Sequence, residues 1–416
     1  MPMSEVRLVR GDEFEEYARM TLDAYPAMFP PMTEEQRLGW LGRMRKVNAE
    51  SGPVKYYGCY RGGEMVGGMR LHDFMMTVYG AQVPVGGVGN VFVDLPHKKE
   101  HVSKDMMEWF HSHYLEHGVS LSVLYPFRPD FYRQMGYGYG RKMNRYRFRP
   151  VDLPKGSKEQ VGWMGEEDAP LLLNCYNRYA HRTHGMIEKQ LPYFERLLKR
   201  VKVVGYRVSG ELEGFLAFTF KKLDPDHMLL QDIEVQTLIY LNREALLGLL
   251  SFLGAQLDQV ERVVLCTMDD DFHFLPHDPR DGEPRIFYTS QETNVQGVGV
   301  MYRVLDTRGL FRQLSGHSFG GANLKLRLDV VDSFLPSNNG GVLVQFVDGK
   351  PRVLDRGGHD VKVTIKVEWL SSLVMGVVDF RKLWAYGLLE VSDEGYMDQL
   401  DALFHAAVKP VTVEEF

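Results

Sequence analysis

Residues 60 to 69 read YRGGEMVGGM and residues 207 to 216 read RVSGELEGFL, and both place Gly-Glu-apolar-x-Gly between a short strand pattern and an apolar one. Glycine supplies positive φ at little steric cost, so each copy predicts a strand, a tight turn and a second strand. The surroundings match too. A helical pattern precedes each hairpin, DEFEEYARMTLDAY in the first and APLLLNCYNRYAHR through YFERLLKR in the second. A strand and a helix follow each: GNVFVDL with SKDMMEWFHSHYLEHG, and DIEVQTLIY with REALLGLLSFLGAQLD. This order predicts two mixed α/β units in tandem.

The chain has 416 residues, more than one ordinary core of roughly 100–200 residues accommodates, so a further unit is expected. The stretch FRPVDLPKGSKEQ, with two prolines and no periodic apolar residues, reads as a linker near residue 150. From about residue 298 the pattern changes to alternation of period two: Leu324, Leu326, Leu328 and Val330; Val342, Val344 and Phe346; Val361, Val363, Ile365 and Val367. The clusters PSNNGG and RGGHD separate these runs, which predicts a twisted antiparallel sheet. Two helical stretches follow, WLSSLVMGVVDFRKLWAYG and YMDQLDALFHAAV. The expected fold class is α+β (mixed α/β), with units at 1–150, 151–297 and 298–416.

The formal charge is -6, and no block of Lys and Arg recurs, so a nucleic-acid surface is not expected. A cationic small molecule or a lysine side chain suits this balance better. The three cysteines, Cys59, Cys175 and Cys266, lack any C-x-x-C pairing and fit buried thiols in a reducing compartment. Acidic residues interrupt the N-terminal stretch, and nowhere do eighteen consecutive apolar residues occur. A cytoplasmic chain without a membrane span is expected.

In GNVFVDLPHKKEHVSKDMMEWFHSHYLEHG, Val91 and Val93 end a strand, Lys98 and Lys99 lie in a turn, and Val102, Met106, Phe110 and Tyr114 recur at helical spacing. Amides at the start of that helix have no intrahelical partner, so with two ammonium groups nearby they form an anion site suited to a pyrophosphate. The element resembles motif A of the GNAT acyltransferases, a V-x-V strand followed by R/Q-x-x-G-x-G/A. The resemblance places Val91, Phe92 and Val93 along the pantetheine arm of acetyl-CoA and Lys98 at the R/Q position. It places Lys99, His101, Val102 and Ser103 at the pyrophosphate. Where the family carries glycines this chain has His101 and Ser103, and Glu100 adds a negative charge beside them.

The next segment, VLYPFRPDFYRQMGYG, is similar to one in the Eis (enhanced intracellular survival) acetyltransferases, where a Tyr before a G-[YF]-G turn protonates the departing thiolate. Here that residue is Tyr132, ahead of Gly136-Tyr137-Gly138. Phenol and thiol have neighbouring pKa values, about 10 and about 8.5, so such a transfer is feasible. The chain finishes LDALFHAAVKPVTVEEF. A buried terminal ring would strip water from the α-carboxylate and raise a pKa that starts near about 3.5, making it a better base. In the Eis proteins a Glu-Phe terminus beyond a Pro-containing extension supplies that base; Phe416, Glu415 and Pro410 match.

The resemblance implies tandem GNAT-like domains, the second degenerate, and a sterol-carrier-protein-like third domain that brings the tail to the active site. It implies an acetyl-CoA-dependent N-acetyltransferase acting on an aminoglycoside, a polyamine-like amine or a protein lysine. Phe416 would be the base, Tyr132 the acid and Glu415 the holder of a second ammonium. It also implies a homo-oligomer, with a hexamer among the arrangements. The competing reading is a non-catalytic ligand- or lipid-binding protein on the same scaffold. No metal is expected: His113 and His117 stand four apart, but Tyr114 takes the place of the Glu in H-E-x-x-H. The acidic loop MDDDFHFLPHDPRDG lacks the spacing of an EF-hand. The glycines of VPVGGVGN come before the strand end, the wrong order for a Rossmann turn, and read as a bulge or strand entry.

Overall fold

The structure is a computed structural model describing residues 4–227, 230–282 and 288–413. The first repeat contains β1 (Glu5–Leu8), α1 (Phe14–Ala24), α2 (Glu34–Ala49), β2 (Val54–Arg61), β3 (Glu64–Val78), β4 (Ala81–Val93), α3 (Val102–Glu116), β5 (Leu121–Leu124), α4 (Pro129–Arg133) and β6 (Gly138–Tyr139). β7 (Lys142–Phe148) leads out of it. The second contains β8 (Val161–Trp163), α5 (Ala169–Arg182), α6 (Leu191–Arg200), β9 (Lys202–Val208), β10 (Glu211–Lys222), β11 (Gln231–Tyr240), α7 (Arg243–Gly254), β12 (Val263–Thr267) and β13 (Asn294–Val298). After β14 (Met301–Val304) come α8 (Thr307–Gln313), β15 (Leu324–Val331), β16 (Gly340–Val347), β17 (Lys350–Leu354), β18 (Val361–Lys366), α9 (Val367–Val374), α10 (Phe380–Ala385), β19 (Leu389–Val391) and α11 (Met397–Phe404).

Both repeated hairpins form where the glycine pattern places them. Gly62 and Gly63 have φ of 60° and 90°, and Ser209 and Gly210 have 51° and 87°. Two successive positive values match the twist of the flanking strands, so β2–β3 and β9–β10 close on two-residue turns. Three helices, α2, α4 and α8, lie outside those the sequence pattern predicts. α2 starts at a capping box in which the Thr33 side chain accepts the Gln36 N–H and Gln36 accepts that of Thr33. Only Leu41 and Met44 of it are buried, too few to give a periodic signal.

The sheets do not follow chain order. The first runs β1-β2-β3-β4-β5-β14-β6 and the second β13-β7-β12-β11-β10-β9-β8. β7 therefore leaves the first repeat to sit between β12 and β13, and β14 returns to sit between β5 and β6. The two repeats exchange strands.

The third sheet, β17-β16-β15-β18-β19, shows the expected alternation, with Leu324, Leu326, Leu328 and Val330 buried and Lys325 and Arg327 exposed. It corrects the expectation of a purely antiparallel sheet, because β15 and β18 are parallel. The β16–β17 hairpin fills one side of β15, so the chain must cross over to reach the other. The first helical stretch also breaks in two, since Gly376 turns left-handed (φ 66°) between α9 and α10.

This third layer packs on the first sheet. One buried cluster joins Val85, Leu121, Val123 and Val304 to Leu326, Val363, Leu370 and Leu373. An ion pair reinforces it: Arg303 on β14 meets Asp332 after β15 at 3.0 Å, with both side chains at 0% exposure. Asn338 Nδ2 and the Leu335 N–H also donate to Asp332. Removing either charge would strand the other, at roughly 3–5 kcal/mol.

Candidate active site

β4 and β5 run parallel but pair only where residues 85–87 meet 121–123. Beyond that point residues 88–93 of β4 have no strand on the β5 side among the described residues. A bulge sharpens the divergence. Gly68 faces Phe92 and Arg70 faces Gly89, so β4 holds one extra residue here, and Asn90 takes φ 49°. The reading of the VPVGGVGN glycines as a bulge or strand entry has its counterpart here, although β4 already includes them. The bulge presents the Val91 carbonyl to the hydroxyl of Tyr25, which donates to it at 2.6 Å. Phe92 turns its ring inward onto Tyr17 (centroids 4.8 Å apart), leaving its backbone for the open edge.

The turn that follows keeps a glycine-like path without glycine. Lys99 and His101 have φ of 67° and 63°. His101 begins α3 yet makes no capping hydrogen bond, so no side chain at the cap covers the first amides of the helix. Lys98, Lys99 and His101 are exposed, while Val102 is buried with Met106, Met107, Phe110 and Tyr114 on the inner face of α3. The negative charge of Glu100 is already engaged: its Oε2 lies 3.3 Å from Arg61 Nη1 and 3.0 Å from His97 Nδ1. The same Arg61, its side chain only 8% exposed, pairs with Asp105 at 2.9 Å. The acidic residues beside the turn are thus held by a cation at its base, leaving the two lysines and the helix start to face outward.

Tyr132 sits on α4 and is buried at 3% exposure. Its ring meets those of Phe131, Phe127 and Tyr137 edge-on, at 5.2, 5.7 and 5.9 Å. Burial, with the neighbouring phenols of Tyr25 and Tyr137, holds its own phenol above the usual tyrosine range. Tyr25 therefore lies within electrostatic reach of Tyr132 while bonded to Val91. No motif in the sequence marks Tyr25. Its own phenol is raised by burial. Tyr137 is fixed from behind, its hydroxyl 3.2 Å from His111 Nε2 and 3.1 Å from Ser122 Oγ.

The C-terminal segment is followed as far as residue 413; Glu415 and Phe416 lie outside the described residues. The approach is well anchored. The Val411 N–H donates to the His184 carbonyl at 2.7 Å, and the Thr412 hydroxyl donates to the Gly185 carbonyl at 3.0 Å with Tyr302 Oη 3.3 Å away. Residues 185–188 in turn pair with β3: Gly185 N–H donates to Thr77, Thr77 N–H to Met186 and Glu188 N–H to Met75.

In the second repeat, β11 and α7 are separated only by Leu241 and Asn242. There the Asn242 side chain accepts the Ala245 N–H at 2.9 Å, closing the helix start that α3 leaves uncapped.

Residues 5–140 and 179–304 match two family models, each described as an acetyltransferase (GNAT) domain, and residues 309–413 match one for a sterol carrier protein domain. The chain carries two GNAT acetyltransferase domains followed by a sterol carrier protein domain. The fold is shared over 99% of this chain and all of Eis1 from Mycobacterium abscessus, with a TM-score of 0.75 and 20% identity. A GCN5-related N-acetyltransferase from Anabaena variabilis superposes with a TM-score of 0.81 at 16% identity, covering 99% of this chain and 100% of that one. An Enterococcus faecalis protein described as a probable N-acyltransferase gives 0.81 at 18% identity over the full length of both. No curated protein matches by sequence. The two GNAT domains mark the chain as an N-acetyltransferase that uses an acyl-CoA donor. No helix among the described residues is long and apolar enough to cross a membrane.

Proposed function

We propose that the chain is an Eis-like, acetyl-CoA-dependent N-acetyltransferase whose single working site lies in the first repeat, between β4, β5 and Tyr132. The observation that carries this reading is the open edge of β4, followed after residues 94–98 by a left-handed turn and an uncapped helix. The backbone of Val91, Phe92 and Val93 would hold the pantetheine arm. The amides of Val102 and Ser103, with Lys98, Lys99 and His101, would hold the pyrophosphate. When bound, acetyl-CoA supplies the thioester from which an acetyl group passes to an amine. Tyr132 would give its phenolic proton to the departing thiolate, and the terminal carboxylate of Phe416 would collect the proton shed by the attacking amine.

The acceptor is an amine, for which an aminoglycoside, a polyamine-like molecule or a protein lysine is the proposed class, with Glu415 holding a second ammonium. The assignment of residues 1–150, 151–297 and 298–416 to a working GNAT domain, a degenerate one and a tail-bearing third domain belongs to the same reading. So do a cytoplasmic location and assembly into a homo-oligomer.

The test is thiol release from acetyl-CoA with a panel of amines, alongside a thermal shift with coenzyme A. Release and a shift are expected; neither with any amine would leave the ligand-binding reading. A second arm appends residues after Phe416, which should abolish turnover without unfolding the protein, whereas an N-terminal tag should be harmless. Equal activity in both constructs would remove Phe416 from the mechanism.

A further inference from the structure

Four separate contacts run from the third domain to the short turn that carries Tyr132. The Arg133 guanidinium stacks over the ring of Trp369 on α9, with its carbon 4.4 Å from the ring centroid. The Ser372 hydroxyl, one turn further along the same helix, donates to the Tyr139 carbonyl at 2.8 Å. A Cβ at Gly136 would come within 2.6 Å of Arg303 Nη1 and 2.8 Å of a Val367 methyl, and one at Gly138 would collide with the Glu368 carbonyl and Ser372 Oγ. At Gly138 the turn lies against the backbone of α9, and at Gly136 against the Arg303 and Val367 side chains. β14, which leads into the third domain, also pairs with β6 (Met301 with Tyr139, Tyr302 with Gly138), and its Val304 N–H donates to Ser371 on α9.

We infer that α9 is a positioning platform for Tyr132: Trp369 and Ser372 hold the turn at residues 132–139 in the conformation that aims the tyrosine at the thioester sulfur. This rests on the proposed role of Tyr132 as proton donor. It assigns the third domain a part in the reaction separate from delivering the tail. The turn has little of its own to hold it. α4 is five residues long and β6 two, and its internal bonds are the Met135 and Tyr137 N–H groups to Tyr132 and that of Gly136 to Arg133. Without Trp369 and Ser372, the stretch beyond Tyr132 would keep the β14 pairing at residues 138–139 and the Tyr137 hydroxyl bonds. Tyr132 itself would rest on a few backbone bonds and edge-on ring contacts, which tolerate rotation.

The experiment is a double-mutant cycle in the full chain. Trp369→Ala should lower kcat about tenfold and leave KM for acetyl-CoA within about twofold, and Trp369→Phe should restore most of the loss. In a Tyr132→Phe background the same Trp369→Ala change should cost less than about twofold, because its target is gone. A readout independent of turnover accompanies this: hydrogen exchange of the amides of residues 135–137 should quicken in Trp369→Ala while that of β3 and β4 is unchanged. If Trp369→Ala does not fold, Ser372→Ala carries the same cycle. Losses that multiply in both backgrounds, or no loss with Trp369→Ala where Tyr132→Phe is slow, would overturn the platform. A fully active Tyr132→Phe enzyme would overturn the proton-donor reading itself.

Discussion

The two repeats share a hairpin, a following strand that outruns its parallel neighbour, and a helix, yet they join strand to helix in different ways. In the first, β4 outruns β5, bulges at Asn90 and passes through left-handed Lys99 and His101 into an uncapped helix. In the second, β11 also outruns β12, which it meets only at residues 233–235, and also bulges at Gln236, but it enters α7 after two residues, where Asn242 accepts the Ala245 N–H. Val235, Leu238, Val263 and Leu265 pack in one apolar cluster with Leu250 and Phe272. The two copies thus differ in turn length, in left-handed backbone and in who caps the helix, while the overhanging strand is common to both.

That contrast can be broken most severely at Tyr132, which the second repeat does not reproduce. Tyr132→Phe should lower kcat by about 100-fold or more with little change in coenzyme A binding, measured by steady-state kinetics and a binding titration. Replacing Lys98 and Lys99 together by Ala should weaken coenzyme A about tenfold, worth about 1.4 kcal/mol, and flatten the salt dependence of binding. Asn242→Ala should cost about 1 kcal/mol of stability in denaturant titrations while coenzyme A binding and turnover stay unchanged; a fall in affinity would mean the second repeat also serves the cofactor. His101→Gly should bind coenzyme A as well or better and raise stability by up to about 1 kcal/mol, since a left-handed His is relieved. Smallest of all should be the alkaline response. A phenol raised above its usual range keeps its proton as pH climbs, so kcat should show no falling limb from Tyr132 between about pH 7 and 9.

How much of this the sequence carried depends on whether the signal was local. The hairpin glycines, the buried face of α3 and the alternation of β15, β16 and β18 are short-range patterns, and the structure forms each of them. The left-handed turn at His101 was harder to see, because the residue types there advertise a solvated loop while the backbone follows a glycine path. Glu100 is out of place beside a phosphate site on sequence alone, but Arg61, thirty-nine residues away in the chain, engages it. Tyr25, Trp369 and Ser372 reach the site through tertiary packing alone, and nothing in their neighbours marks them. The parallel pairing of β15 with β18 and the placing of β7 and β14 follow from crossovers, which side-chain periodicity does not encode.

The position of β14 has a consequence for how such a chain comes into being. As the polypeptide emerges from the ribosome, residues up to 140 offer an incomplete sheet, with β5 and β6 waiting for a strand that is translated some 160 residues later. Closure of the N-terminal sheet is therefore among the later steps of biogenesis, and truncated products ending before residue 301 would expose the flank of β5, a template for pairing with another nascent chain.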